Sequence, residues 1–102
     1  MLRIVEAAAA ISDPIRRRVL ELVRDRELPA GELAAEFAVS RPAVSRHLRV
    51  LREAGLVHER RRGRLRLYRA DPAPLEELRE WLDGYWRGRL EALKRVSEEG
   101  EQ

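Results

Sequence analysis

At 102 residues and 44% hydrophobic content, the chain has the length of one domain and enough apolar matter for a core, yet a domain this small buries only about two-thirds of its surface. It carries 21 basic and 18 acidic side chains for a net charge of +3, and its lack of cysteine excludes a disulfide framework, a thiolate zinc site and a cysteine nucleophile. No apolar run approaches the roughly 20 residues that span a bilayer, and Glu6 interrupts the first apolar stretch before it reads as a signal segment, so the expectation is a cytoplasmic protein with no membrane partner.

Residues 2–11, LRIVEAAAAI, read as a first helix. Asp13-Pro14 is a start signal, an N-cap acid followed by proline at the first helical position. The helix it opens places Ile15, Val19, Leu22 and Val23 on one face. Leu28-Pro29 marks a break, and residues 30–38 form a short third helix with Leu33, Ala34 and Phe37 inward. Ser40 caps a fourth helix that runs to about Ala54. Pro42 is tolerated in its first turn, where the backbone N–H has no partner to lose, and Gly55 ends it. Two alternating runs follow, Leu56-Val57-His58 and Leu65-Arg66-Leu67-Tyr68, separated by Glu59-Arg-Arg-Arg-Gly63-Arg64. They predict a short β-hairpin with an arginine-lined tip. Pro72 and Pro74 close it, and residues 74–98 form one long helix. The fold class is mostly α with a small β-hairpin, in the order α-α-α-α-β-β-α, as a single domain over residues 1–102.

Gly31–Ala38 and Ser40–Ala54 have helix-turn-helix proportions, which places that unit at residues 30–54. Turning the fourth helix by about 100° per residue brings Val44, Leu48 and Leu51 into one inward sector. Pro42, Arg46, Arg49 and Glu53 lie opposite, with Ser45 beside them. Arg41 stands at the N-terminal end, where recognition helices meet base edges. Arg41 and Arg46 offer bidentate donors to guanine, Ser45 donates or accepts, and Arg49 is better placed for phosphate. His47 falls at the border of the core, suited to a structural or phosphate hydrogen bond or to solvent. The hairpin, residues 56–70, supplies a second contact through Arg62, Arg64 and Arg66, with Arg60 and Arg61 nearby. Alternation puts Leu65 and Leu67 on one face and Arg64 and Arg66 on the other, so not all of these arginines can face one ligand.

The charge distribution follows this division. Residues 1–39 hold six basic and seven acidic groups, net −1; residues 40–70 hold ten arginines against Glu53 and Glu59, net +8; residues 71–102 hold five basic and nine acidic groups, net −4. A basic patch concentrated in this way is the footprint of a polyanion, usually nucleic acid, with a solvated arginine face as the bland alternative.

The last helix carries Leu75, Leu78, Trp81, Leu82, Tyr85, Trp86, Leu90, Leu93 and Val96 on one half. Their arc of roughly 180° exceeds the ~100° stripe of a helix docked on one core, and its length of about 37 Å is large for so small a body. Both facts argue that it serves two cores, its own and a twin's, with Trp81, Tyr85 and Trp86 as anchors. The sharper alternative is that these rings line a pocket for an apolar effector.

Taken together, the chain resembles the ArsR-type family of winged helix-turn-helix transcriptional repressors over nearly its whole length. The residues that carry the resemblance are Asp13-Pro-Ile-Arg-Arg-Arg18, Gly31-Glu-Leu-Ala34, Val39-Ser-Arg-Pro-Ala-Val-Ser-Arg-His-Leu48, Leu51-Arg-Glu-Ala-Gly-Leu-Val57 and Gly63-Arg64 with Tyr68. The resemblance implies a homodimer assembled through the first and last helices, with Leu2, Val5, Leu78, Trp81, Leu82, Tyr85, Trp86, Leu90 and Leu93 at its interface. It also implies a recognition helix in the major groove of double-stranded DNA and a wing beside it. Ser40, Arg41, Pro42, Ser45 and Arg46 match the family's DNA-reading positions. Many relatives have glutamine where Arg41 stands, so no base preference carries over to it. Many members sense metals through a Cys-x-Cys in the third helix or Asp/His/Glu sets in the last. Here the third helix reads Leu33-Ala-Ala-Glu-Phe-Ala38, and the last has no histidine. His47 and His58 sit on different elements, and carboxylates alone rarely make a selective transition-metal site. The chain therefore resembles the family's metal-independent branch, with no metal or cofactor expected and room for an unidentified small-molecule effector.

The expected function is sequence-specific DNA binding by a dimeric repressor on a near-palindromic operator. The alternative is a winged-helix protein-interaction module without direct DNA binding, which leaves the +8 segment unexplained. No enzyme is expected, because the sequence offers no nucleophile–base pair, phosphate-cradling loop or ligand cluster.

Overall fold

In the computed structural model, which describes residues 2–100, five helices and three strands follow one another: α1 (Leu2–Ala10), α2 (Pro14–Leu22), β1 (Leu28–Pro29), α3 (Ala30–Ala35), α4 (Arg41–Glu53), β2 (Val57–Arg62), β3 (Leu65–Ala70) and α5 (Ala73–Gly100). Met1, Glu101 and Gln102, at the ends of the expected 1–102 domain, lie outside the described residues. The helix starts obey local chemistry. Asp13 Oδ1 accepts from the backbone N–H groups of Ile15 at 2.8 Å and Arg16 at 3.2 Å, and Pro14 fills the first helical position. Ser40 caps α4 by accepting from the Ala43 N–H at 3.3 Å. Asp71 Oδ1 accepts from Ala73 N–H at 3.0 Å and so begins α5. Gly55 ends α4 with φ of +74°, a left-handed turn that a side chain would strain.

Three expectations need correction. A two-residue strand, β1, precedes α3, so the sheet has three strands in the order β1-β3-β2. β1 pairs antiparallel with β3 through Leu28 opposite Tyr68 and Pro29 opposite Leu67. That makes β3 central and explains why its neighbours Leu67 and Tyr68 are both buried, where strict alternation would bury one of them. The third helix ends at Ala35 and not at Ala38, because its last turn tightens: Glu36 N–H bonds to the Leu33 carbonyl and Phe37 N–H to that of Ala34, three residues back. The arginine run belongs to a strand, since Glu59–Arg62 pair with Leu65–Tyr68 and only Gly63 and Arg64 form the turn. Gly63 has φ of +62°, as the tight two-residue connection requires.

The core is one cluster that holds Val19 and Val23 of α2 and its C-cap, Leu33 of α3, Val44, Leu48 and Leu51 of α4, and Leu56 and Val57 at the foot of the hairpin. It fixes α4 on its inward stripe, which leaves the opposite stripe free. α1 joins through Ala7 and Ala10, and its last carbonyls are held by α2, where Arg16 donates to Ala9 and Ala10 and Arg17 donates to Ile11. α5 leaves the body after its first two turns. Every residue from Arg79 to Gly100 is exposed, and the molecule extends to 70 × 25 × 23 Å.

Candidate nucleic-acid interface

The second helix of the helix-turn-helix and the wing form opposite walls of one groove lined by Ala30, Ser45, Arg46, Leu48, Arg49, Arg52, Arg66 and Tyr68. α4 contributes its outward stripe. Ser40, Arg41, Pro42, Ser45, Arg46 and Arg49 are all exposed along it. The Arg41 guanidinium rests near Gly31, 3.6 Å from where a β-carbon on that glycine would stand. Arg49 Nε lies 3.8 Å from Glu53 Oε1 one turn on, an exposed pair of small energetic weight.

His47 is turned elsewhere. Its ring is half-buried against the start of α2, with Nδ1 3.2 Å from Arg16 Nη1 and 4.0 Å from Asp13 Oδ1. A guanidinium only donates, so in this contact Nδ1 accepts. Partial burial opposes ionisation of Asp13, but the backbone N–H groups of Arg16 and Ile15 outweigh it, with the Arg16 guanidinium adding positive charge. The carboxyl therefore stays below its ordinary range. The histidine ties the recognition helix to α2.

Register sorts the wing arginines. Residues directly opposite in an antiparallel pair share a face. Glu59 opposite Tyr68 and Arg61 opposite Arg66 therefore look into the groove, while Arg60 opposite Leu67, Arg62 opposite Leu65 and His58 opposite Arg69 look away. Arg60 on the outer face is committed: its Nε and Nη2 donate to the two oxygens of Glu27 at 2.6 and 2.9 Å. That hydrogen bond, together with the charge it brings, holds the Glu27 carboxyl below its usual range against the opposing effect of burial. Arg64 sits at the tip. So Arg66 joins the α4 residues and Arg62 does not share their face, while Arg61, one of the arginines expected near the hairpin tip, does share it, and Arg52 joins the groove without having been expected there. The period-two rule would have placed Arg61 on that face once the turn was reduced to Gly63-Arg64.

Inside the groove Glu59 accepts from Arg52 Nη1 at 2.6 Å and from the Tyr68 hydroxyl at 3.2 Å, and stands 3.7 Å from Arg66 Nε. Burial raises its carboxyl, but those hydrogen bonds and the charges of Arg52 and Arg66 more than compensate and leave it below the usual range. Burial and the neighbouring Glu59 push the Tyr68 phenol up.

None of the apolar residues expected at a second core lines this groove. Leu2, Val5, Trp81, Leu82, Tyr85, Trp86, Leu90 and Leu93 are exposed, while Leu78 is half-buried. Ile4, Val5, Ala8, Ala9, Leu78 and Trp81 line an apolar hollow where α1 meets α5. Trp81 stacks on Tyr85 with centroids 5.8 Å apart, and Tyr85 meets Trp86 edge-on at 5.5 Å. Among the described residues no group of three or more His, Asp or Glu could hold a metal ion, and no helix is long and apolar enough to cross a membrane.

A recognition helix with an exposed cationic stripe, set beside an arginine-bearing hairpin, defines a winged helix-turn-helix DNA-binding regulator of transcription. The model for bacterial regulatory proteins of the arsR family matches residues 13–59. The HTH-type transcriptional regulator Rv2034 of Mycobacterium tuberculosis is 47% identical over 77 residues, covering 76% of this chain and 72% of that one. The transcriptional repressor SdpR of Bacillus subtilis is 34% identical over 73 residues, covering 72% and 81%. Among solved structures, an ArsR-like transcriptional regulator from Rhodococcus sp. RHA1 superposes with a TM-score of 0.77 at 33% identity, covering 93% of this chain and 92% of that one. The chain belongs to the ArsR family.

Proposed function

We propose that the protein is a homodimeric repressor that binds a near-palindromic operator in double-stranded DNA. Each subunit, acting as one domain, presents α4 to a major groove and the wing to the neighbouring backbone. The observation that carries this is the shared groove, in which the free stripe of α4 and the inner face of the wing direct arginines to one place. Arg41 and Arg46 read base edges with Ser45, Ser40 and Pro42 beside them, Arg49 meets phosphate, and His47 acts by fixing the helix against α2. On the wing, Arg61, Arg64 and Arg66 take the inner and tip positions, and Arg62 reaches the backbone only from the outer face. Dimer symmetry then spaces the half-sites by about 10 bp or a multiple.

The exposed apolar faces of α1 and α5 support the dimer, since a run of large apolar side chains this long on a small protein marks an interface. The chain has no cysteine, and its two histidines sit on different elements, His47 against Arg16 and His58 against Asp71, which supports regulation without a thiol- or imidazole-bound metal. Any effector is a small molecule, the protein needs no cofactor, it catalyses no reaction, and it works in the cytoplasm.

The test is selection of bound sequences from a random duplex pool, repeated with Arg41→Ala and Arg46→Ala. Each substitution is expected to relax the selected motif at its own position by about 1–3 kcal/mol of discrimination. An unchanged motif in both variants overturns the assignment of the recognition helix.

A further inference from the structure

Segment 40–70 contains two acids, and they are placed very differently. Glu53 lies on the exposed end of α4, whereas Glu59 sits on the groove face of β2 with 16% of its side chain exposed. Its partners come from two elements: Arg52 from α4, and Tyr68 and Arg66 from β3. One carboxylate thus ties the recognition helix to the wing. Arg52 and Arg66 themselves stay about half exposed, at 45% and 52%, so both guanidiniums border the surface that receives a polyanion. A carboxylate at the floor of such a surface repels phosphate and lowers affinity for any duplex, whatever its sequence. Its position is therefore unfavourable for simple attraction and favourable for geometry.

We propose that Glu59 is a specificity-determining positioning residue: it fixes the angle between α4 and the wing, and it holds Arg52 and Arg66 in set directions, partly neutralised, so that neither is free for sequence-independent phosphate contact. The proposal rests on the reading of the groove as the DNA-binding surface. Arg61 and Arg66, like charges directly opposite on the inner face, repel each other. Glu59 near Arg66 holds that pair in place until DNA arrives. Sequence-independent binding is thereby weakened, while operator contacts are made from a preformed wing.

The test uses Glu59→Gln, which keeps the shape and removes the charge. Binding to the selected operator and to an unrelated duplex of equal length is measured across about 50–200 mM salt, where each phosphate contact contributes roughly 0.9 to the logarithmic salt slope. The unrelated duplex is expected to bind several-fold more tightly, with a slope steeper by about one to two contacts, while operator affinity changes much less and the ratio of the two falls. Adding Arg52→Gln to Glu59→Gln removes part of the extra slope, whereas Arg52→Gln alone leaves the wild-type slope nearly unchanged. A slope and ratio equal to wild type overturn the proposal, as does equal weakening on both duplexes, the behaviour of a carboxylate that only supports folding.

If Glu59→Gln does not fold, Arg52→Gln alone decides: loss of a full contact from its slope overturns the proposal. Amide exchange across residues 57–70 of the free protein gives a readout without DNA. Faster exchange there, with α2 unchanged, supports the brace, and unchanged exchange defeats it. Wild-type protein that fails to distinguish its selected operator from unrelated DNA defeats the proposed function instead, and leaves the exchange result to judge the brace.

Discussion

Trp86→Ala isolates the long helix as an association surface. Trp86 is 56% exposed, and with about 200 Å² of side chain it offers a partner roughly 110 Å². At about 25 cal/mol per Å², that area is worth about 2.8 kcal/mol. A twofold interface uses the residue twice, about 5.5 kcal/mol; incomplete coverage and ordering costs reduce this to about half, roughly a 100-fold rise in the dimer dissociation constant. Sedimentation equilibrium over a concentration series reads the change directly. Arg79→Ala, a replacement of a charged residue on the same helix, serves as the control. On DNA the Trp86→Ala variant loses operator affinity but keeps its affinity for an isolated half-site, because Trp86 does not line the groove. A Trp86→Ala protein that dimerises like wild type refutes the reasoning, as does a wild-type chain that stays monomeric throughout.

Removing the Asp13 cap by Asp13→Ala is expected to lower stability by about 1 kcal/mol in urea unfolding, with Asp13→Asn recovering most of it. The folded carboxyl lies below its ordinary value. Its ionised contribution is therefore complete above about pH 4 and is lost as the pH falls through the folded value, so the gap between wild type and Asp13→Asn narrows in acid. Among the wing residues, Arg61→Ala should flatten the salt dependence of DNA binding by about 0.9, whereas Arg60→Ala, whose guanidinium is held by Glu27, should leave it almost unchanged. Equal slopes for the two variants would contradict the sorting of faces. Leu51→Ala, which empties a fully buried position, should cost about 2–5 kcal/mol of thermal stability; a loss under about 1 kcal/mol would mean that α4 is not seated on the core as described.

Most of the fold is written in local signals. Asp13-Pro14, Ser40 and Gly55 mark helix ends because their side chains, or the lack of one, act within a single turn. Val44, Leu48 and Leu51 repeat at helical spacing along thirteen residues, long enough for the period to show. β1 escaped because two residues carry no period, and Leu28-Pro29 reads as a break unless its pairing with β3 is known. The wing spans the expected residues, but its strands are longer than the runs that predict them for a related reason: Glu59–Arg62 has no alternation of polar and apolar residues, and only cross-strand pairing makes it a strand. The site suffers in proportion. Ser45, Arg46 and Arg49 follow from one helix projected alone, but which wing arginine shares their groove depends on the exact length of the turn. The attachment of His47 to Arg16 spans 31 residues of sequence and belongs wholly to tertiary structure.

β2 is the longer of the two edge strands of its sheet, open along one side. Open strands invite pairing with other chains, and natural sheets blunt them with charge. Arg60, Arg61 and Arg62 place three consecutive positive charges on that strand, so a second molecule approaching edge to edge meets the same charge. The run that draws a polyanion toward the wing thus also protects solubility. Stripping the wing of arginine to weaken DNA binding would remove that protection as well, giving a protein that loses its operator and gains a tendency to aggregate.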